Sequence, residues 1–380
     1  MMDSKQTHQR LASLDALRGM DLLMLVALDR VVFKLQPVIN AGWYDTFLQG
    51  FTHKEWEGFS PWDLVMPLFM FMSGVTIPYS LSRYREGEQS RRALYWRLCR
   101  RFMLLWILGM ICQGNLLSFD SQHIYLFSNT LQAIAVGYVF AALLYLYTKP
   151  RTQILVVSVL LLAFWAAMEY VIIGGYGGGD YSPQGNLAEG IDRMLLGRFR
   201  DKAEMVDGAV VFQEWYTYTW LLSSLNFIVT VLTGVFAGEL LRSSRAMRSK
   251  QNWLLGLGVG MTVVGWLLGL VHPVIKHIWT SSMTLVSSAY CFLLLWAFYS
   301  WIDCRGHRSG LTFLKVYGMN SITAYVISNV VNFSSVSESL LYGTQQYLGE
   351  AYPALISLAN VSIVFLILYV MYKRNIFLRV

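Results

Sequence analysis

Residues 127–175, FSNTLQAIAVGYVFAALLYLYTKPRTQILVVSVLLLAFWAAMEYVIIGG, hold two long apolar runs that are separated only by Lys149-Pro150-Arg151. A helix needs ~20 consecutive apolar residues to cross the hydrocarbon core of a bilayer. Both runs, near 127–148 and 152–175, reach that length. A short basic connection is typical of the cytoplasmic face of a membrane. This stretch therefore predicts two successive transmembrane helices.

The composition extends this interpretation to the whole chain. Of the 380 residues, 55% are hydrophobic and only 14% are charged, whereas soluble domains have about 25% charged residues. The predicted fold class is an all-α, polytopic transmembrane helix bundle that forms one domain over residues 1–380, with about ten spans and eleven as the alternative count. The predicted spans lie near 13–36, 61–82, 102–119, 127–148, 152–175, 215–241, 253–272, 279–302, 313–333 and 353–372.

The distribution of lysine and arginine predicts the orientation of the bundle. With a cytoplasmic N-terminus, 22 of the 30 basic residues fall in cytoplasmic segments, and the opposite orientation leaves only eight there. The positive-inside rule therefore predicts that both termini are cytoplasmic. The long loops 37–60 and 174–214 then lie outside, and their many aromatic residues argue against disorder. Because topology explains the net charge of +7, the lipid bilayer is an expected partner and nucleic acid is not.

No motif in the sequence points to a metal or to a soluble-enzyme cofactor. The chain has no phosphate-binding loop, dinucleotide fingerprint, Gly-x-Ser-x-Gly turn or zinc motif. Its four cysteines lack metal-ligand spacing, and we interpret them as unpaired small hydrophobic residues. They are Cys99, Cys112, Cys291 and Cys304.

One loop carries residues suited to acid–base or nucleophilic chemistry. The stretch Phe51-Thr-His-Lys-Glu-Trp-Glu-Gly-Phe-Ser-Pro-Trp-Asp63 places His53 just before the second predicted span and Asp63 at its outer end. An imidazole can serve as a base or a nucleophile near neutral pH, and a neighbouring carboxylate would fix its tautomer. The alternative is that His53 is merely solvated at the membrane interface.

Polar residues within the predicted spans are further candidates, because such residues are costly in a membrane. Asp29 lies in the first span, where pairing with Arg18 or Arg30 is the structural alternative to a functional role. Gln132 and Asn320 lie in later spans, where helix–helix hydrogen bonding is the alternative.

Several ordered motifs resemble a known family of transmembrane acyltransferases. The stretches His53-x-x-Trp56-x-Gly58, Trp62-Asp-Leu-Val-Met-Pro67 and Phe71-Met-Ser-Gly74 resemble a region of the heparan-α-glucosaminide N-acetyltransferase family. Weaker matches occur in the family's order before and after this region, over nearly the whole chain. They are Leu11–Gly19, Thr130–Val136, Gly185–Leu187, Gly234–Gly238, Trp279–Ser282, Tyr317–Ser321 and Tyr372–Phe377.

The resemblance implies a membrane enzyme that uses acetyl-CoA as co-substrate, without a metal, and acetylates an amino sugar or glycan on the far side. It places His53 at the family's catalytic histidine, Asp63 at a neighbouring acid, and Asp29 where animal members have a catalytic-site asparagine. We expect Trp56 and Asn186 to bind substrate. The sequence resembles bacterial members of the family more than the lysosomal enzyme, which implies a location in the bacterial inner (cytoplasmic) membrane. A homodimer is consistent with the family.

The expected donor path runs through the bundle. Arg100 and Arg101 are candidates to bind the CoA phosphates on the cytoplasmic side, and Gln132 and Asn320 to line the acyl tunnel. Two alternative functions stay open: an O-acetyltransferase acting on a glycan or lipid-linked sugar hydroxyl, and a secondary sugar transporter without CoA dependence, for which Asp21 and Asp29 would be the titratable pair.

Overall fold

The computed structural model describes residues 11–87 and 90–378, except for the side chain of Asp29. The protein is 72% helical and contains only small sheets, in agreement with the predicted helical class. The α-helices are α1 Ala12–Leu23, α2 Asp29–Ile39, α3 Gly42–Leu48, α4 Val65–Val75, α5 Ile77–Arg85, α6 Arg91–Cys112, α7 Thr130–Tyr147, α8 Pro150–Tyr170, α9 Leu187–Leu196, α10 Ser224–Arg242, α11 Met247–Leu268, α12 Ser281–Phe298, α13 Thr312–Met319, α14 Ser321–Val330, α15 Ser334–Leu341, α16 Gln345–Leu348 and α17 Tyr352–Lys373. Two antiparallel hairpins pair β1 Ile172–Ile173 with β2 Tyr176–Gly177, and β3 Ala203–Val206 with β4 Ala209–Phe212.

Seven helical segments among the described residues are long and apolar enough to cross a membrane. The seven are Pro61–Arg85, Thr130–Tyr147, Pro150–Tyr170, Ser224–Arg242, Met247–Leu268, Ser281–Cys304 and Ser334–Lys373. Each corresponds to one of the ten predicted spans. The predictions near 1–10 and 379–380, including the location of the two termini, lie outside the described residues.

The other three predicted spans are helical but broken or charged, which is why they fall short as uniform apolar helices. The span near 13–36 changes from α1 through a π-helical turn, Met24–Leu28, into α2. Only residues 102–112 of the span near 102–119 lie in α6, and residues 113–119 are not α-helical; the five arginines of α6 lie in its first half, before the predicted span. The span near 313–333 is divided at Asn320 into α13 and α14.

Glycines allow the helices at the centre of the bundle to touch backbone to backbone. A Cβ on Gly74 of α4 would lie 2.0 Å from the carbonyl oxygen of Val231 in α10, and a Cβ on Gly234 would lie 2.0 Å from that of Phe71. Small residues at such crossings let transmembrane helices pack closely. The α4–α10 pair is therefore a tight scaffold, and α4 follows directly after the loop that contains His53.

The two long loops that we predict to be outside are ordered and joined to a third segment. The loop 37–60 contains α3, and the loop 174–214 contains α9 and the second hairpin. The connection between α11 and α12 binds the first loop, because Gly58 N donates to Val274 O at 2.8 Å, and the non-helical segment 215–223 that continues the second loop into the predicted span 215–241, because Thr219 N donates to His277 O at 3.0 Å. Three segments far apart in sequence thus meet at one end of the bundle.

Candidate active site

A histidine–aspartate pair stands where the loop 52–60 joins the second candidate span. Pro61 starts a short 3₁₀ turn that carries Asp63, and the Asp63 Oδ2 atom accepts a hydrogen bond from the Ser60 backbone N–H at 2.9 Å. The Ser60 hydroxyl donates to Thr52 O at 2.6 Å and so ties the loop to the turn. These bonds hold the carboxylate toward His53, whose Nδ1 atom lies 2.7 Å from Asp63 Oδ1.

The pair leaves one imidazole nitrogen free for chemistry. Because ionised Asp63 only accepts hydrogen bonds, Nδ1 of His53 carries the proton and Nε2 keeps its lone pair. The Asp63 side chain is 1% exposed and that of His53 is 39% exposed. The carboxylate is therefore shielded behind an accessible imidazole, which is the arrangement that a base or nucleophile requires.

Lys276 completes the cluster, and the sequence analysis missed it. Its Nζ atom lies 2.9 Å from Nδ1 and 3.3 Å from Nε2 of His53, and 3.4 Å from Asp63 Oδ1. The ammonium therefore lies within 3.3 Å of both ring nitrogens. One feature of the sequence could have indicated it: Lys276 is the only lysine or arginine in the stretch Pro273–Ser282, whose one other titratable residue is His277.

Burial and charge set the protonation of this cluster. Burial lowers the pKa of Lys276 to about 8, although the carboxylate of Asp63 opposes the shift. Burial also lowers the pKa of His53, and the Lys276 charge lowers it further. The hydrogen bond that His53 donates to Asp63 raises this pKa but does not outweigh the two other effects. His53 is therefore neutral, and Lys276 is charged, at neutral pH.

Aromatic side chains surround the cluster. Trp56 stacks on the His277 ring at a centroid distance of 5.5 Å, and Tyr218 lies 4.4 Å from His277 on centroids. The Trp56 Nε1–H donates to Tyr181 O at 2.9 Å, which fixes the indole. Burial, followed by the nearby charge of Lys276, lowers the pKa of His277 to about 4, so this ring is uncharged near neutral pH.

Two neighbouring cavities open from the cluster into the bundle. The outer cavity, of about 450 Å³, is lined by His53, Lys276, Tyr216, Tyr218 and Asp201, among others. The inner cavity, of about 320 Å³, is lined by Arg18, Arg101 and mainly apolar or small residues. Four residues line both cavities and therefore mark the place where the cavities adjoin. These are Leu25, Phe69, Thr130 and Tyr325.

Three of the predicted binding residues, Trp56, Gln132 and Asn186, have structural hydrogen bonds and line neither cavity. Gln132 is buried, accepts from Ser128 N at 2.9 Å and donates to Leu126 O at 2.6 Å. Asn186 caps α9, because its Oδ1 atom accepts from Glu189 N at 2.9 Å. Both side chains therefore hold the backbone of segments that surround the site.

The remaining predicted residues lie at the inner end or outside the described structure. Arg101 lines the inner cavity, whereas Arg100 is exposed and does not. Asn320 is buried beside that cavity, between the lining residues Met319 and Ser321, and neither polar atom of its side chain has a hydrogen bond. The Asp29 side chain is outside the described part of the structure, although its backbone begins α2.

No group of three or more His, Cys, Asp or Glu side chains within residues 11–87 and 90–378 is arranged to hold a metal ion. The polar atoms of the outer cavity come from a histidine, two lysines, an aspartate, three tyrosines, and amide and hydroxyl side chains. Such a set can bind, orient and deprotonate an organic substrate.

Comparisons with known proteins agree with the resemblance seen in the motifs. The family model described as "Domain of unknown function (DUF5009)" matches residues 10–182. Human heparan-alpha-glucosaminide N-acetyltransferase is 28% identical over 98% of this chain and 60% of its own length. The mouse protein of the same name is 25% identical over 99% of this chain and 61% of its own length. The chain thus spans about three fifths of the length of these relatives, and it is similar to them over nearly all of its own length.

Proposed function

We propose that the chain is a multi-pass membrane acyltransferase that transfers an acetyl group from cytosolic acetyl-CoA to the amine of an amino sugar or glycan on the extracytoplasmic side. The observation that carries the proposal is the His53–Asp63 pair, which opens into a cavity that adjoins a second cavity deeper in the bundle. The names of the human and mouse relatives support the amino-sugar acceptor.

The proposed topology has ten spans with both termini in the cytoplasm. The lysine and arginine distribution supports it, because 22 of the 30 basic residues are then inside. In this orientation the inner cavity faces the cytosol, where CoA is available, and His53 faces outward. The proposed location is a bacterial inner membrane, and the proposed assembly is a homodimer.

The inner cavity is suited to the donor. Arg18 and Arg101 line its wall, and guanidinium groups bind phosphate well. The acyl end of the donor would then extend past Phe69 and Tyr325 toward His53. The exposed Arg100 contributes positive charge near the cytoplasmic entrance, and Asn320 offers unpaired polar atoms beside the path.

Two chemical routes fit the geometry at His53. In the first, Nε2 attacks the thioester carbonyl, an N–C bond forms, the C–S bond breaks, and CoA leaves as the thiolate. The acceptor amine then takes the acetyl group from His53. In the second, Nε2 removes a proton from the amine while the amine attacks the thioester carbonyl directly, the N–C bond forms, the C–S bond breaks, and CoA leaves as the thiolate. In both routes Asp63 orients the imidazole and stabilises it when it becomes charged.

Lys276 supports either route through its charge. An ammonium 3.3 Å from Nε2 is close to any oxyanion that forms on a carbonyl carbon attacked at or beside that nitrogen. Positive charge fixed at the place where negative charge develops lowers the barrier to acyl transfer. The same charge keeps His53 neutral and therefore reactive before the reaction.

The test is incubation of the purified protein in detergent with [¹⁴C]acetyl-CoA and glucosamine, wild type beside His53→Ala. Formation of N-acetylglucosamine by the wild type alone would support the proposal. Transfer to a hydroxyl would favour the O-acetyltransferase alternative. Absence of acetyl-CoA consumption with every amino sugar and glycan would overturn the enzyme assignment and favour a transporter. A trapped acetyl-enzyme would select the first route.

A further inference from the structure

A chain of hydrogen bonds lies behind the connection that carries Lys276. His272 is fully buried and precedes Lys276 by four residues. Its Nε2 atom accepts a hydrogen bond from the backbone N–H of Ser281, the first residue of α12, at 3.0 Å. The imidazole of His272 therefore closes residues 273–280 into a loop, with Lys276 near its middle.

The direction of each hydrogen bond in this chain follows from its donors and acceptors. Because Nε2 of His272 accepts from a backbone N–H, it keeps its lone pair, and the proton of the neutral ring is on Nδ1. This Nδ1 atom lies 2.8 Å from the Tyr181 hydroxyl and donates to its oxygen. The hydroxyl in turn donates to Glu169 Oε2 at 3.2 Å. One hydroxyl group thus joins α8, the loop 174–214 and the connection between α11 and α12.

Tyr181 also holds the loop that carries His53. Its backbone carbonyl accepts a hydrogen bond from the indole N–H of Trp56 at 2.9 Å, and Trp56 follows His53 by three residues. Tyr181 is therefore bonded to both sides of the catalytic cluster. Its carbonyl binds the loop of His53, and its hydroxyl binds the loop of Lys276 through His272.

The separation of these two loops determines the charge near His53. Asp63 and Lys276 are the charged groups that act on its imidazole, and His277 is an uncharged neighbour. Burial lowers the pKa of His53, the hydrogen bond to Asp63 raises it, and the charge of Lys276 lowers it. Because Asp63 is held by its own 3₁₀ turn, a displacement of residues 273–280 weakens the effect of Lys276 and leaves that of Asp63.

We infer that Tyr181 and His272 are positioning residues, which hold Lys276 against His53 and so keep the imidazole neutral before the reaction. Neither residue lines the outer or the inner cavity, so both act through Lys276 and not by contact with a substrate. The purpose of this arrangement rests on the proposed function, but the charge at His53 can be measured without any substrate.

The test measures the pH midpoint for diethyl pyrocarbonate modification of His53, by mass spectrometry of the peptide that contains it. The full chain is used in detergent, without acetyl-CoA. Tyr181→Phe removes only the hydroxyl and leaves the carbonyl that binds Trp56. We expect the midpoint of this variant to rise by about half a pH unit, because Lys276 is held less closely.

Two substitutions of His272 separate its hydrogen bonds from its bulk. His272→Ala removes both hydrogen bonds and should raise the midpoint of His53 at least as much as Tyr181→Phe does. His272→Gln keeps one acceptor and one donor, so it should restore a midpoint near that of the wild type.

Tyr44→Phe is the matched control. Tyr44 is also buried, its hydroxyl donates to Val32 O at 2.7 Å, and it lines neither cavity. Loss of this hydroxyl should lower the thermal stability and leave the midpoint of His53 unchanged.

An unchanged midpoint in Tyr181→Phe, with a loss of thermal stability like that of Tyr44→Phe, would overturn the inference, because the network would then only stabilise the loops. An equal shift in Tyr44→Phe would overturn it as well. A raised midpoint without acetyl transfer by the wild type would support the positioning role and remove the proposed function, whereas acetyl transfer with an unmoved midpoint would do the reverse. If His272→Ala does not fold, Tyr181→Phe decides the outcome alone.

Discussion

The outer and inner cavities differ in the elements that build them. The outer cavity is lined by loop residues that include the titratable groups His53, Lys276 and Asp201, together with residues of α4, α6, α7 and α14. The inner cavity lies between helices, and its wall is mostly apolar or hydroxyl-bearing apart from Arg18 and Arg101. The comparison suggests a division of labour, in which the loops supply the chemistry and the helices supply a passage. The two ends should therefore respond to substitution in different kinetic constants.

The largest expected effect is the loss of the imidazole. His53→Ala removes the proposed base or nucleophile, and we expect kcat to fall by ~1,000-fold while acetyl-CoA affinity stays the same. The assay is labelled acetyl transfer, combined with calorimetry for the donor. The matched control is His123→Ala, because His123 also pairs with an aspartate, Asp120, at 2.6 Å but is exposed in a loop away from both cavities. An equal fall in the control would contradict the assignment.

The next effect comes from the partner of His53. Asp63→Asn keeps the shape of the side chain but removes the negative charge, and its amide can present a donor to Nδ1 and so favour the wrong tautomer. We expect kcat to fall on the order of 100-fold, with Asp120→Asn as the control. If Asp63→Asn lowered only the thermal stability and not kcat, the carboxylate would merely cap its 3₁₀ turn.

At the inner end we expect an effect on binding and not on chemistry. Arg101→Ala should raise the KM for acetyl-CoA about tenfold and change kcat little, because Arg101 lines the inner cavity and not the cavity that contains His53. Arg100→Ala is the matched control, since Arg100 is adjacent in sequence but lines neither cavity. Equal effects of both variants would point to general surface charge and would weaken the contrast between the two cavities.

The smallest effect is a shift in pH dependence at Lys276. Its ammonium, with a pKa of about 8, is present below pH 8 and is lost as the pH rises through that value, so kcat should decline there. Lys276→Arg keeps the charge to higher pH and should move the alkaline limb upward. Lys276→Met removes one cause of the lowered pKa of His53, so the pH midpoint for diethyl pyrocarbonate modification of His53 should rise. An unmoved midpoint would exclude this electrostatic role.

The sequence predicts long apolar helices well and their count less well. Seven of the ten predicted spans meet the length and composition of a membrane-crossing helix. The other three carry charges or interruptions, such as the arginines of α6 and the break at Asn320, which hydropathy alone does not interpret. The proximity of His53 and Asp63 follows from their short separation and the local turn, together with the family resemblance.

Contacts between distant segments account for what the sequence could not predict. Lys276 lies 223 residues after His53, and nothing in its own neighbourhood indicates which loop it meets. The amides of Gln132 and Asn186 look like ligand-binding groups in a sequence. In the structure each amide oxygen accepts a hydrogen bond from a nearby backbone N–H, that of Ser128 or Glu189. The hydrogen bond between Tyr181 and His272, which are 91 residues apart, likewise becomes known only from the fold.

The contact between Lys276 and His53 also constrains how the chain is threaded through the bilayer. Two residues 2.9 Å apart are on the same side of a membrane, so the chain between them must cross it an even number of times. Five of the seven apolar segments lie between them, which is odd. The remaining long helix in that interval is α6, whose 22 residues span ~33 Å. In the proposed topology α6 is therefore a sixth crossing with its arginines directed to the cytoplasmic surface, and we expect a nascent chain that failed to insert α6 to place Lys276 and His53 on opposite faces.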